Sequence, residues 1–147
     1  MQKKAFEKMV LACADAGEKI LTIHSRKAAQ DVIDILGTNF PGKIILHWYS
    51  DTISQLQKAI NNGYYFSINH PMLHSKSGKE IIKRIPVERL LIEADGPFTK
   101  RGEEIFTPLM AGSIQKELAN MIFIDKTSTE GEKIISNNFE RLLDKDI

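Results

Sequence analysis

Four short apolar runs punctuate the chain, and each gives way to a polar residue. Lys19-Ile20-Leu21-Thr22-Ile23 leads into His24, Lys43-Ile44-Ile45-Leu46 into His47, Tyr64-Tyr65-Phe66-Ser67-Ile68 into Asn69, and Leu90-Leu91-Ile92-Glu93-Ala94 into Asp95. The steps between these ends are about 23, 22 and 26 residues, the length of one strand, loop, helix and loop. Between the runs, apolar positions fall three and four apart, as on one face of a helix. Phe6, Met9, Val10, Cys13 and Ala14 predict a helix over 2–16, and Val32, Ile33 and Leu36 predict one over 28–36. Ile53, Leu56, Ala59 and Ile60 follow the N-cap signal Ser50-Asp51-Thr52 and stop at Asn61-Asn62-Gly63. Further helices are expected near 78–83, 109–122 and 131–143, with an irregular loop over 98–108.

The runs are largely apolar where a strand with one exposed face would alternate. That pattern predicts a parallel sheet covered by helices, and the βα order makes the class α/β. Parallel strands joined by helices end on one face, where βα barrels keep their chemistry. A complete eight-stranded barrel needs about 250 residues. The 147 residues here therefore amount to half a barrel in one domain, 1–147. Such a half has open strand edges, which must find a partner, curl differently or stay exposed.

Composition narrows the picture only slightly. The hydrophobic content of 42% is ordinary, and a net charge of +1 gives no global basic field. Any affinity for nucleic acid must come from a local patch. The single Cys13 implies no disulfide framework and no thiolate metal site, in keeping with a reducing cytoplasm. No apolar run approaches the ~18 residues of a membrane span, and the N-terminus lacks the apolar core of a signal peptide.

Imidazoles ligate Zn, Mn, Fe or Ni, and a carboxylate can join or bridge such ions. His24, His47 and Asp95 could thus supply most of one site. Each also has a structural reading: hydrogen-bonding histidines at strand ends, and a turn-forming Asp before Gly96-Pro97. Glu93 shares the parity of Asp95 and could hold a ligand or a substrate group, or be a solvated loop charge. Arg26 could meet a phosphate through its paired donors or form a surface salt bridge. Trp48 and Tyr49 could stack on a base or pack in the core. Asn69, at the end of the third run, is a candidate substrate contact. His70 and His74 are four apart, but Pro71 between them favours loop histidines. Lys76 and Lys79 could touch phosphates, yet Ser75-Lys76-Ser77-Gly78-Lys79 lacks the spacing of a phosphate loop.

Together, Leu21-Thr22-Ile23-His24-Ser25-Arg26, Leu46-His47-Trp48-Tyr49-Ser50, Tyr65-Phe66-Ser67-Ile68-Asn69 and Leu91-Ile92-Glu93-Ala94-Asp95-Gly96-Pro97 resemble the TatD family of metal-dependent deoxyribonucleases. Asn137-Asn138-Phe139-Glu140-Arg141-Leu142-Leu143 is similar to the family's closing helix, so the resemblance covers essentially the whole chain. At a looser level, Ala14-Asp15-Ala16-Gly17, Leu46-His47-Trp48 and Asp95-Gly96-Pro97-Phe98 resemble the TatD-like members of Qat antiphage systems. The resemblance implies the C-terminal half of a (β/α)8 TIM barrel with about four parallel strands and covering helices. It also implies hydrolysis of DNA phosphodiesters by two divalent ions (Mg, Mn or Zn). His24 and His47 would then ligate one metal, and Asp95 would serve the other or orient the attacking water. Arg26, Trp48, Asn69 and Glu93 would face substrate.

The sequence also departs from the family. The His-x-His pair of the first barrel strand and a metal-bridging Glu have no counterpart here. Asp51 stands where Gly is usual, and Phe106-Thr107-Pro108 replaces Asn-Glu-Pro. The expectation is a chain truncated at its N-terminus and weak or inactive alone. It would be completed by a homodimer or an N-terminal half-barrel partner, or would serve as a binding or assembly module.

Overall fold

The computed structural model describes residues 2–144. The chain divides into two compact units, residues 1–65 and 66–147. In the first, α1 (Gln2–Ala16), β1 (Lys19–His24), α2 (Ala29–Leu36), β2 (Gly42–His47) and α3 (Ile53–Asn61) follow the expected order. β1 and β2 are parallel and in register, from Lys19 beside Gly42 to His24 beside His47. The core of this unit forms where Ile44, Ile45 and Leu46 of β2 are buried together with Val32, Ile33 and Leu36 of α2 and Leu56 and Ala59 of α3. The i, i+3, i+4 spacing of the helical set puts those side chains on one stripe, as required. Thr52 opens α3 with a capping box: its hydroxyl accepts from the Gln55 amide, and the Gln55 side chain accepts from the Thr52 amide.

β1 departs from the expectation of a covered strand. Its residues are exposed or half-buried, Ile20 being 40% exposed. It pairs with β2 on one side, and no strand among the described residues pairs with its other edge. Apolar runs imply burial only if something covers them, and the described residues leave β1 exposed or half-buried. Met9 and Leu11 of α1 are exposed as well.

The second unit begins within β3 (Tyr65–Ile68), which is parallel to β4 (Leu90–Ile92) and pairs Phe66 with Leu90 and Ile68 with Ile92. β4 is shorter than the predicted run, which extended to Ala94. Two helices, α4 (His70–His74) and α5 (Lys76–Ile82), stand where one was expected. The Ser75–Lys79 stretch is a helix start: the Ser75 hydroxyl accepts from the Gly78 amide, and a Cβ at Gly78 would collide with the Met72 backbone. The loop over 98–108 contains a small hairpin, β5 (Lys100–Arg101) and β6 (Glu104–Ile105), with Gly102 at φ 60° in its turn. α6 (Ala111–Ile122) and α7 (Ser128–Leu143) complete the unit, and both pack on β4. Asn138 of α7 is fully buried and donates to the carbonyls of Val87 (2.6 Å) and Leu90 (2.8 Å), fixing α7 against the entry of β4.

The α/β class and the parallel strand pairs are as the periodicity implied. No helix among the described residues is long and apolar enough to cross a membrane. Cys13 is a free, half-buried thiol.

Candidate metal centre

His24 and His47 occupy the last positions of β1 and β2 and are register partners, so their side chains emerge side by side. Their ring centroids lie 5.3 Å apart, and the Trp48 ring stands edge-on to His24 at 6.4 Å. With Arg26 and Ser50, His24 and Trp48 line a cavity of about 140 Å³. The backbone leaves both strands sharply: Lys27 has φ 58° and Trp48 φ 45°. A bulky residue in the left-handed region costs free energy and persists only where the surroundings impose it. The amide of Lys27 donates to an Asp51 carboxylate oxygen at 3.1 Å, tying the loop after β1 to the loop after β2. That contact gives Asp51 a structural role. Tyr49, by contrast, is core: it is 1% exposed, and its hydroxyl donates to the Thr52 carbonyl at 2.6 Å. Burial first, and the Asp51 carboxylate second, push its phenol far above the ordinary range.

In the second unit the acidic residues follow β4. The Glu93 amide still donates to the Ile68 carbonyl at 2.9 Å, although the strand ends at Ile92. The Glu93 carboxylate accepts from the hydroxyl of Ser67 and from the side-chain amide of Asn69 at 3.0 Å. Asn69 is fully buried, and its side-chain oxygen accepts from the Met72 amide at 3.2 Å, capping α4. Both ends of the Asn69 side chain thus act within the protein, and its place is beneath Glu93. Ser67 was not singled out in the sequence, although its two-residue offset from Asn69 puts it on the same face.

Asp95 lies beyond the strand at φ 51°, a conformation Asp tolerates better than most residues. Its carbonyl accepts from the amides of Phe98 (2.9 Å) and Thr99 (3.1 Å). Strand parity therefore stops before Asp95, yet the turn still brings one of its carboxylate oxygens within 4.8 Å of one from Glu93. A Cβ on Gly96 would land on the carbonyl oxygen of Phe106, so only Gly lets the hairpin close over this turn.

The largest difference from the expectations concerns His70 and His74. They do not lie in a loop; they are the first and last residues of α4, on one face. Pro71 sits in the first turn, where its missing N–H costs nothing. Glu117 of α6 joins them, with an oxygen 2.8 Å from His74 Nε2 and 3.7 Å from His70 Nδ1. Burial lowers the pKa of His70, repulsion from His74 and Arg101 adds to that, and Glu117 opposes it.

Asn69→Ala removes a donor from Glu93 and the cap from α4. The expected result is a stability loss of about 1 kcal/mol in urea unfolding. Any hydrolytic activity supported by Glu93 should fall about 10- to 100-fold.

The first unit thus carries paired imidazoles at the ends of adjacent parallel strands, and the second carries the carboxylates of Glu93 and Asp95 after β4; both are donor types that metallohydrolases use. Over residues 1–144 the sequence matches the family model described as TatD related DNase, and the chain belongs to that family. It is 31% identical to the Bacillus subtilis protein described as uncharacterized metal-dependent hydrolase YabD, over 90% of this chain and 56% of that protein. Identity to the Schizosaccharomyces pombe deoxyribonuclease Tat-D is also 31%, over 67% of this chain and 32% of that one. An uncharacterized amidohydrolase from Saccharomyces cerevisiae superposes with a TM-score of 0.76 at 15% identity, covering 97% of this chain and 59% of that structure. A TatD family hydrolase from Entamoeba histolytica superposes with a TM-score of 0.75 at 17% identity, over 96% and 56% respectively. The two structures establish the fold. The chain spans between a third and three fifths of the length of these proteins.

Proposed function

We propose that this chain contributes to a metal-dependent hydrolase of DNA phosphodiesters, with His24, His47 and Asp95 as metal ligands. The observation that carries the proposal is the in-register His24–His47 pair at the strand ends of a TatD family member. The donor set fits Mg, Mn or Zn: imidazoles suit the transition metals, and carboxylates suit all of them. Bound divalent ions would supply Lewis acidity, easing deprotonation of water and neutralising the phosphate.

The chain's own groups do the rest. Asp95 orients the attacking water, and Ser67 and Asn69 hold Glu93 in one rotamer. The Arg26 guanidinium offers two parallel N–H donors to a substrate phosphate. Trp48, half-buried at the wall of the same cavity, offers a ring face on which a base can stack. With a net charge of +1, these local contacts must supply the affinity. The chain spans only part of its relatives, so the complete activity is proposed for the whole fold to which these residues contribute. A cytoplasmic setting is part of the same proposal.

One observation favours a second reading, a binding or assembly module without catalysis. The exposed β1, its outer edge paired with no described strand, is a surface on which another strand can dock.

The experiment is cleavage of single-stranded and duplex DNA with added Mg²⁺, Mn²⁺ or Zn²⁺, by protein sized in solution, beside His24→Ala. Metal-dependent cleavage that disappears in the variant supports the hydrolase. A folded protein that cleaves nothing with any of the three metals leaves the binding module.

A further inference from the structure

We propose that His70, His74 and Glu117 form a second transition-metal site, of the zinc class, that clamps α4 to α6. It uses none of the residues proposed above for hydrolysis.

The donor chemistry and the spacing both point to this. One ligand atom from each of the three residues lies within 4.8 Å of the others. Zinc held at its usual bond lengths of about 2.0–2.2 Å in a tetrahedron separates its ligand atoms by roughly 3.3 Å. The Glu117 oxygen is 2.8 Å from His74 Nε2 and 3.7 Å from His70 Nδ1, which brackets that spacing. The two imidazoles stand four residues apart on one helix face, with ring centroids 4.1 Å apart. Two His and one Glu form a recurrent zinc set that leaves the fourth position to water.

An independent observation concerns His70 Nδ1. The His70 side chain is 14% exposed, and this nitrogen is buried with no hydrogen-bond partner. Buried polar atoms are nearly always paired, so one left without a partner and facing a carboxylate calls for an explanation. A cation between the three residues satisfies it.

The surroundings fix the ligands. Phe106 packs against the His70 ring at 4.8 Å between centroids. Arg101 lies 5.4 Å from the centre of the Phe106 ring and 3.8 Å from the other Glu117 oxygen. Its charge opposes a cation, but it also leaves a single carboxylate oxygen to serve as ligand. His74 is 57% exposed, which gives an ion a route in. The residue after His70 is Pro71, so the helix lacks the glutamate that serves as base in H-E-x-x-H proteases. The role proposed for the ion is to hold α4 against α6: occupancy stiffens α4, whose cap Asn69 holds Glu93.

The test uses the full chain carrying His24→Ala and His47→Ala, in which His70 and His74 are the only histidines left. Titration with Co²⁺, followed by its visible absorption, and with Zn²⁺, followed by calorimetry and thermal unfolding, reads the site directly. The expected result is one equivalent bound, with a melting temperature that rises as Zn²⁺ is added. Adding Glu117→Gln should weaken binding at least tenfold, and adding His74→Ala should abolish both signals. Circular dichroism confirms that each variant is folded, which the exposure of His74 favours. No binding by the folded double variant overturns the site and leaves a His74–Glu117 ion pair only. Binding indifferent to Glu117→Gln and His74→Ala overturns it equally.

Discussion

On the proposed function, His47→Ala is expected to lower metal-dependent DNA hydrolysis by about a thousandfold while the protein stays folded. The size follows from the role: a metal contributes several kcal/mol of transition-state stabilisation, and each 1.36 kcal/mol is tenfold in rate. The fold survives because His47 is half-buried at the end of β2, while Ile44, Ile45 and Leu46 carry the burial of that strand. The imidazole also has no part in the backbone pairing of β1 with β2, which the variant retains. Steady-state cleavage rates, measured beside circular dichroism, check both halves of the prediction. A loss matched by unfolding would assign His47 to stability instead. On the same proposal Trp48→Ala provides a contrast: removing a stacking wall is expected to raise KM more than it lowers kcat.

Asn138→Leu destabilises the second unit by about 3 kcal/mol with no direct contact to any proposed ligand. Asn138 donates to two carbonyls, Val87 and Leu90, and accepts from Arg141 at 2.6 Å. Leucine has similar volume but no donors, so it strands one buried and one part-buried acceptor, at a cost of about 1–3 kcal/mol each. Urea unfolding followed by tryptophan-independent circular dichroism measures the change. A loss under 1 kcal/mol would mean that water replaces the amide.

The strand ends were legible because they combine two local signals, an apolar run and an abrupt polar stop. His24 and His47 are adjacent because equal βα lengths put equivalent positions in register. Other features depended on what the chain does not write locally. The exposure of β1 depends on what packs against it, which an apolar run cannot report. α4 was hidden by Pro71, a helix breaker anywhere but in the first turn, where it stands. The 100–105 hairpin is too short for periodicity to register. Glu117 is 43 residues beyond His74, so no spacing rule could bring it to the histidine pair. Asn69 shows the opposite limit: its position at a strand end was visible, but its role as a buried brace for Glu93 required the hydrogen bonds.

The chain has four histidines, and that number makes a direct measurement possible. With His70→Ala and His74→Ala, only His24 and His47 remain to be observed by imidazole nitrogen NMR. A metal centre at the strand ends predicts that Zn²⁺ shifts both signals together and saturably, with the same apparent affinity. If neither signal moves in the folded protein, or if only one does, the two histidines do not share a metal.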